Sequence, residues 1–525
     1  MSKSRILIAG AALFVTLICW SLSSPINSHQ DEKFHLASIW CADGFDQDCE
    51  YQGLSETGVE TVLLKVNLCT PANEKDTIYK RLLVARAEGK CKFEFVANEA
   101  LETMNVSLNF FYETETQIAA WIQPGHTPSV YYKALNLFGG NNAEQSVFRF
   151  RIVNSLLFVL LLIAFLLVSE QSIRNSALLG LLVTMIPHGL FLITGVPNSG
   201  WSFTGCGLSW AFLYILLNQP FRINWKTGLA ILGWVVSSGI VISSRYDAII
   251  YLAFTNIAVL VLKISTETKH KRLNLTVLFM GCLSFAFLAW TRLPKIRGLF
   301  KRDPYRSELP YDFRLVGRSN SPLDLFVVFG NAVKLSITTP LRILGLQPPG
   351  MGPLHPSTSV FLVNLIFVVL VAFALIRTRL KTQTITLYLS FGFLFGVYLL
   401  QCYTRRNWTS PFYLIRTSWT GDQFSARYFI PYFPFLFGML AIHSKNFVKV
   451  FSTDKFKIAL FTVLAFTQSI TLYEIGRAFR ENPSWYWQNI PIGVQSLFVV
   501  GTISFAVFLY SVIFPTSNDK TFNNV

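Results

Sequence analysis

At about twelve places this chain stays apolar for the ~20 residues that a helix needs to cross a hydrocarbon layer. No other feature narrows the fold as much. The first stretch is residues 5–24, RILIAGAALFVTLICWSLSS, with Lys3 and Arg5 at its start. Others follow at about 152–169, 175–195, 203–219, 227–243, 247–264, 273–291, 358–376, 383–402, 427–444, 456–473 and 492–513. A soluble domain has no way to bury that much apolar length. The composition agrees, with 52% hydrophobic, 15% aromatic and 14% charged residues. The expected fold is an α-helical polytopic membrane protein of about 12 transmembrane helices. A cleavable signal peptide competes for residues 5–24, because SLSS resembles a small-residue cleavage site. A retained helix is preferred because the rest of the chain is a membrane bundle.

Between the first two spans lies a polar segment of different character. Residues 25–150 hold 17 of the 29 acids and 10 of the 45 bases. The organisation read from this is 1–24 first transmembrane helix; 25–150 a lobe on the far side of the membrane; 151–291 helices two to seven; 292–357 a basic outer loop; 358–525 helices eight to twelve. Residues 31–41 read as a short helix with acids in its first turn. VETVLLKVNL, CKFEFVA and MNVSLNFFY alternate like strands, so the lobe is expected to contain β-structure. SVYYKALNLF, residues 129–138, resembles an amphipathic surface helix. Cys41, Cys49, Cys69 and Cys91 all fall in this segment. An even number confined there suggests two disulfides in an oxidising compartment; Cys41 with Cys49 and Cys69 with Cys91 is the simplest of three pairings.

Loop charge sets the orientation. Arg174, Arg222, Lys226, Lys269, Lys271, Arg272, Arg377, Arg379, Lys381, Lys445, Lys449, Lys455 and Lys457 fall in one set of loops, while 196–202 in the other set has no charge. By the positive-inside rule both termini face the cytoplasm. The basic 292–357 loop is long enough to be exempt, and it could attract lipid phosphates. The basic balance therefore needs no nucleic-acid partner, and no motif for one is present. No internal repeat is visible, which disfavours the two-halves design of many transporters.

Several residues could carry chemistry. Asp31 and Glu32 open the lobe at the membrane surface, with His35 four and three residues on, so all three can share a helix face. A carboxylate there could take the proton of an acceptor hydroxyl; alternatively the acids merely complement a helix dipole. His35 could orient a carboxylate or pack at the bilayer surface. Two carboxylates and one His are too few to define a metal site, so none is assigned, although a divalent ion (Mg or Mn) stays open. Arg427, beside Tyr428 at a span's outer mouth, could fork onto phosphate or snorkel to the headgroups. Arg245 could do the same or bridge Asp247. Trp201, in the uncharged turn, could touch a sugar or anchor the interface.

DEKFHLASIWCADG, residues 31–44, resembles the signature of a bacterial family, the domain of unknown function 2142. SVYYKALNLF, RIVNSLLF, VPNSGWSFTG, SSRYDAIIY and QFSARYFIPYFP carry the resemblance along the chain. The chain departs from it at Gln30 and Lys33, where the family often has proline around the acidic pair, and at Pro197-Asn198-Ser199, where it tends to read Asn-Pro-Ser. The family in turn is similar to GT-C membrane glycosyltransferases, which carry an acidic residue in the first outer loop. The resemblance implies transfer of a sugar from a polyprenyl-phosphate donor to an envelope glycan, lipid or protein in a bacterial plasma membrane. It implies Asp31 as base, Glu32 and His35 shaping the site, and Arg427 on phosphate. The competing class is a transporter or flippase of a lipid-linked saccharide; a third is a scaffold that binds envelope precursors.

Overall fold

A computed structural model describes residues 1–24, 32–40, 42, 49–54, 60–64, 82–87, 90–95, 118–121, 129–139, 143–218, 224–245, 248–266, 329–330, 332–336, 386, 389–398, 426–442, 453–480 and 493–514. Among them, six helices are long and apolar enough to cross a bilayer. These are α1 (Lys3–Ser23), α4 (Ala143–Val168), α7 (Ser199–Asn218), α8 (Trp225–Ser244), α12 (Asp454–Arg480) and α13 (Val494–Ile513). Shorter apolar pieces are α9 (Ala248–Thr266), α10 (Leu389–Tyr398) and α11 (Phe433–Ile442), the last entered through a 3-10 turn, Ala426–Tyr432. Of the twelve expected spans, those at 273–291 and 358–376 lie outside the described residues.

The span expected at 175–195 is not one regular helix. It runs as α5 (Gln171–Thr184), a π-helical turn (Met185–Gly189) and α6 (Leu190–Thr194). The sequence reason is Pro187, which has no N–H to give the ladder and crowds the preceding turn.

Lipid offers apolar side chains no reason to leave it, so close packing must hold such helices together. Glycines supply it at one contact. A Cβ on Gly180 of α5 would collide with the Pro434 carbonyl oxygen and lie 2.7 Å from the Gly438 nitrogen of α11.

Arginine supplies another link. Arg5 donates from Nε to the Ser511 carbonyl (2.7 Å) and from Nη2 to the Tyr510 carbonyl (2.9 Å). A cation thus meets the negative end of the α13 dipole. The start of α1 and the end of α13 share one face of the bundle, and α1 is a packed member of it, lying along α13 and α4.

The opposite end, where α1 stops and the lobe departs, is the lobe face. The lobe contains α2 (Glu32–Trp40), β1 (Cys49–Leu54), β2 (Glu60–Leu64), β3 (Leu82–Ala87), β4 (Lys90–Phe95), β5 (Ile118–Trp121) and α3 (Ser129–Asn136). β1, β2 and β5 form an antiparallel sheet in that order, with an irregularity between Tyr51 and Gly53; β3 and β4 form a hairpin. The alternating stretch 104–112 lies outside the described residues. β5 and α3 both pack on α2. α2 turns Glu32, His35, Leu36 and Ile39 inward, all buried, at helical spacing i, i+3, i+4 and i+7. α3 buries Tyr131, Tyr132 and Leu135 and exposes Val130, and Leu137 just past its end is exposed as well. It is amphipathic, as its sequence predicts, but its aromatic side is docked on protein.

Candidate functional site

Arg151 lies two turns into α4, in a run that continues as IVNSLLFVLLL. A charge there must find partners or carry a large desolvation cost. Its partner is Glu32. Nη2 donates to Glu32 Oε1 (2.9 Å) and Oε2 (3.0 Å), and Nε donates to Oε1 (3.2 Å). Nη1 donates to the carbonyls of Ser21 (2.7 Å) and Ser24 (2.5 Å). Both side chains are fully buried. Every N–H of the guanidinium therefore has a protein acceptor. Two of those acceptors are carbonyls at the C-terminal end of α1, where a cation is favoured, and Glu32 stands in the first turn of α2, where an anion is favoured. One ion pair thus ties α1, α2 and α4 together at the lobe face.

A polar network extends from this clamp. His35 Nδ1 lies 3.0 Å from the Tyr132 hydroxyl. The Tyr131 hydroxyl donates to the Val196 carbonyl, and its ring meets Trp201 edge to face, centroids 4.8 Å apart. Burial, with Tyr132 and Glu32 adding to it against a hydrogen bond with Asn154, raises the Tyr131 phenol well above its ordinary pKa. It therefore remains an O–H donor. Trp201 Nε1 donates to Asn154 Oδ1 (2.7 Å), and Asn154 Nδ2 donates to the Gly195 carbonyl (2.8 Å). Asn198 Nδ2 donates to the Ser244 carbonyl (3.0 Å), and Arg245 Nη1 donates to the Ser199 hydroxyl (3.1 Å). These bonds join α3, α4, α7, α8 and the 195–198 turn.

The expected site residues fall unevenly on this frame. Glu32 and His35 share the inward face of α2, and Trp201 and Arg245 reach the same network through α7 and α8. Asp31 directly precedes α2 but lies outside the described residues, as does Asp247. Arg427 and Tyr428 lie in the 3-10 turn before α11 and are described in backbone alone; that turn packs on α7 and α9. Cys41 and Cys69 lie outside the described residues, and Cys49 and Cys91 are strand positions described in backbone alone. Cys19 and Cys206 are buried in the bundle and form no disulfide, and the Cys206 thiol donates to the Ala248 carbonyl (3.8 Å). Among the described residues, no group of three His, Cys, Asp or Glu could hold a metal.

One placement is corrected. Trp201 is not in the 196–202 connection but in the first turn of α7, 8% exposed, with its N–H already used. The helix begins earlier than its apolar run because Pro197 and Asn198 carbonyls accept the Gly200 and Ser202 N–H groups. The network also includes Arg151, Asn154, Tyr131 and Tyr132, which the sequence does not single out as site residues. For Arg151 the signal was present: an arginine inside an apolar span calls for a named partner.

The fold defines a helical membrane protein whose lobe is joined to the bundle by a buried ion pair. It belongs to the DUF2142 family of predicted membrane proteins, which matches residues 13–309, more than half of the chain. No curated protein and no solved structure matches it. Glu32, His35, Arg151, Trp201 and Arg245 all lie within the matched stretch, whereas Arg427 lies beyond it.

Proposed function

We propose that the protein is a GT-C-like glycosyltransferase of the bacterial plasma membrane. It moves a sugar from a polyprenyl-phosphate donor to an envelope glycan, lipid or protein acceptor, with the lobe face outward and both termini cytoplasmic. The observation that carries this reading is the Glu32–Arg151 clamp. It fixes the start of α2 at the rim of the bundle, where a lipid-borne donor would present its headgroup. It also divides the acidic pair. Both oxygens of Glu32 are engaged by a buried guanidinium, so Glu32 positions α2 and the base is Asp31.

In the proposed step the Asp31 carboxylate takes the proton of the acceptor hydroxyl as that oxygen attacks the anomeric carbon. The bond from that carbon to the phosphate oxygen breaks, and its electron pair leaves with the polyprenyl phosphate. Arg427 and Tyr428 hold the departing phosphate, whose growing charge a fixed cation stabilises. His35 shapes the site from α2. Arg245 and Trp201 act through their hydrogen bonds, holding the α7–α8 junction rather than meeting the sugar. Disulfides among Cys41, Cys49, Cys69 and Cys91 would brace the lobe. No step is routed through a divalent metal.

The test compares envelope glycans from cells making wild-type or Asp31→Asn protein at equal expression. Loss of a glycan product in the variant supports the reading, and an unchanged profile overturns it. A flippase for a lipid-linked saccharide is the second reading, favoured by the interrupted α5–α6 unit, since broken helices line the substrate paths of many transporters. Proteoliposomes distinguish the two: transfer consumes the donor, whereas flipping relocates it intact.

A further inference from the structure

The face of the bundle opposite the lobe gathers two lysines on one indole. Trp225 and Lys226 open α8, and Lys3 opens α1. Lys3 Nζ lies 5.8 Å from the centroid of the Trp225 ring, and Lys226 Nζ lies 5.9 Å from the same ring. The contact crosses helices: α1 and α8 each pack on α4, and the lysine of one reaches the indole of the other. Trp225 is 55% exposed, and both lysines are exposed.

The neighbouring charges are otherwise engaged. Arg5, two residues beyond Lys3, donates to the carbonyls that end α13. The Asp454 carboxylate at this face lies 3.7 Å from Lys457. Glu170, the residue before α5, pairs with neither Lys3 nor Lys226 among the described residues. An indole face attracts each cation, while two cations drawn to one ring repel each other. An anion seated with them removes that repulsion. The N-terminal end of the α8 dipole adds positive potential at the same place.

The level of the site in the bundle names the source of the anion. About 6–9 Å deeper along the two helices, Leu7 and Ile8 of α1 and Leu232 of α8 are exposed. Exposed cations and an indole above exposed aliphatic side chains reproduce the profile of a bilayer boundary, with headgroups at the level of the lysines and acyl chains at the level of the leucines.

We propose that Lys3, Trp225 and Lys226 bind the phosphate of an anionic phospholipid in the leaflet opposite the lobe. Two ammonium groups suit a headgroup of net negative charge. A zwitterionic headgroup brings its own cation into the cluster and gains less. A free phosphate ester gains the same charge contacts but has no chains to lay on Leu7, Ile8 and Leu232. The site lies at the other end of the bundle from α2 and does not rest on the transfer reading.

The test titrates full-length detergent-purified protein with phosphatidylglycerol or phosphatidylcholine and counts bound lipid by native mass spectrometry. Wild type should bind its first phosphatidylglycerol more tightly than phosphatidylcholine. Lys3→Gln and Lys226→Gln should each weaken that first phosphatidylglycerol about fivefold, and the double variant about 25-fold. Phosphatidylcholine binding should not change. Both lysines are exposed, so melting temperatures should match wild type. Lys455→Gln removes an exposed charge from α12 at the same face and should leave the first phosphatidylglycerol in place. Equal binding of the two lipids by wild type, or an equal loss in Lys455→Gln and Lys3→Gln, would overturn the proposal. So would displacement of the bound lipid by glycerol 3-phosphate, which would make the site one for free phosphate esters.

Discussion

Glutamine at position 32 keeps the shape of glutamate and removes its charge. Arg151 would then sit in a fully buried place without a counter-charge. Breaking such a pair from one side costs about 3–5 kcal/mol. Arg151→Met should cost more, because it also strands the Ser21 and Ser24 carbonyls, at about 1–3 kcal/mol for each buried group left unpaired. The double variant should cost much less than the two losses added together, since neither leaves an orphan charge. The damage is local first, because the pair is what joins α2 to α1 and α4. Amide hydrogen exchange over 32–40 is therefore the right assay. A loss of about 3 kcal/mol speeds exchange there by about 100-fold. Additive effects of the two single variants, or Glu32→Gln exchanging within about threefold of wild type, would refute the clamp as the element that fixes α2.

Other consequences are equally specific. Gly180→Leu should prevent α5 and α11 from closing, and size-exclusion of detergent-solubilised protein should show loss of the monodisperse species. Arg5→Gln should detach the end of α13, raising hydrogen exchange at 505–514 while α2 stays protected. Trp201→Phe keeps the ring contact with Tyr131 and loses one hydrogen bond, so stability should fall by about 1 kcal/mol in a denaturant titration. The raised Tyr131 phenol gives a pH dependence whose sign can be worked out. Above the ordinary tyrosine pKa of about 10 the unfolded chain loses this proton and the folded chain keeps it. Tyr131 thus stabilises fully below that pH and progressively less above it, and Tyr131→Phe should flatten the alkaline arm of a stability–pH curve.

Local patterns were legible where local physics decides. The helix expected over 31–41 is Glu32–Trp40, with its acid in the first turn, and the one over 129–138 is Ser129–Asn136, which carries a helical apolar period. β2 falls inside one of the alternating stretches and β4 overlaps another. What could not be read is set by tertiary packing. Glu32 and Arg151 are 119 positions apart, so nothing near either residue names the other. Trp201 read as an interfacial anchor because the helix start depends on carbonyls, not on apolarity. The π-turn is invisible to hydropathy, since Met185 and Ile186 lie within it, Leu190 follows it, and the apolar run continues across Pro187 and His188.

The Arg5 link also bears on the order of assembly. Its acceptors lie 505 and 506 positions later. At a ribosomal pace of about 5–20 residues per second, the guanidinium waits about 25–100 s for them to be made. During that interval α1 already has α4 to lean on, while its flank facing α13 is left to lipid or to the insertion machinery. A nascent chain halted before α13 would therefore leave Arg5 without these two acceptors.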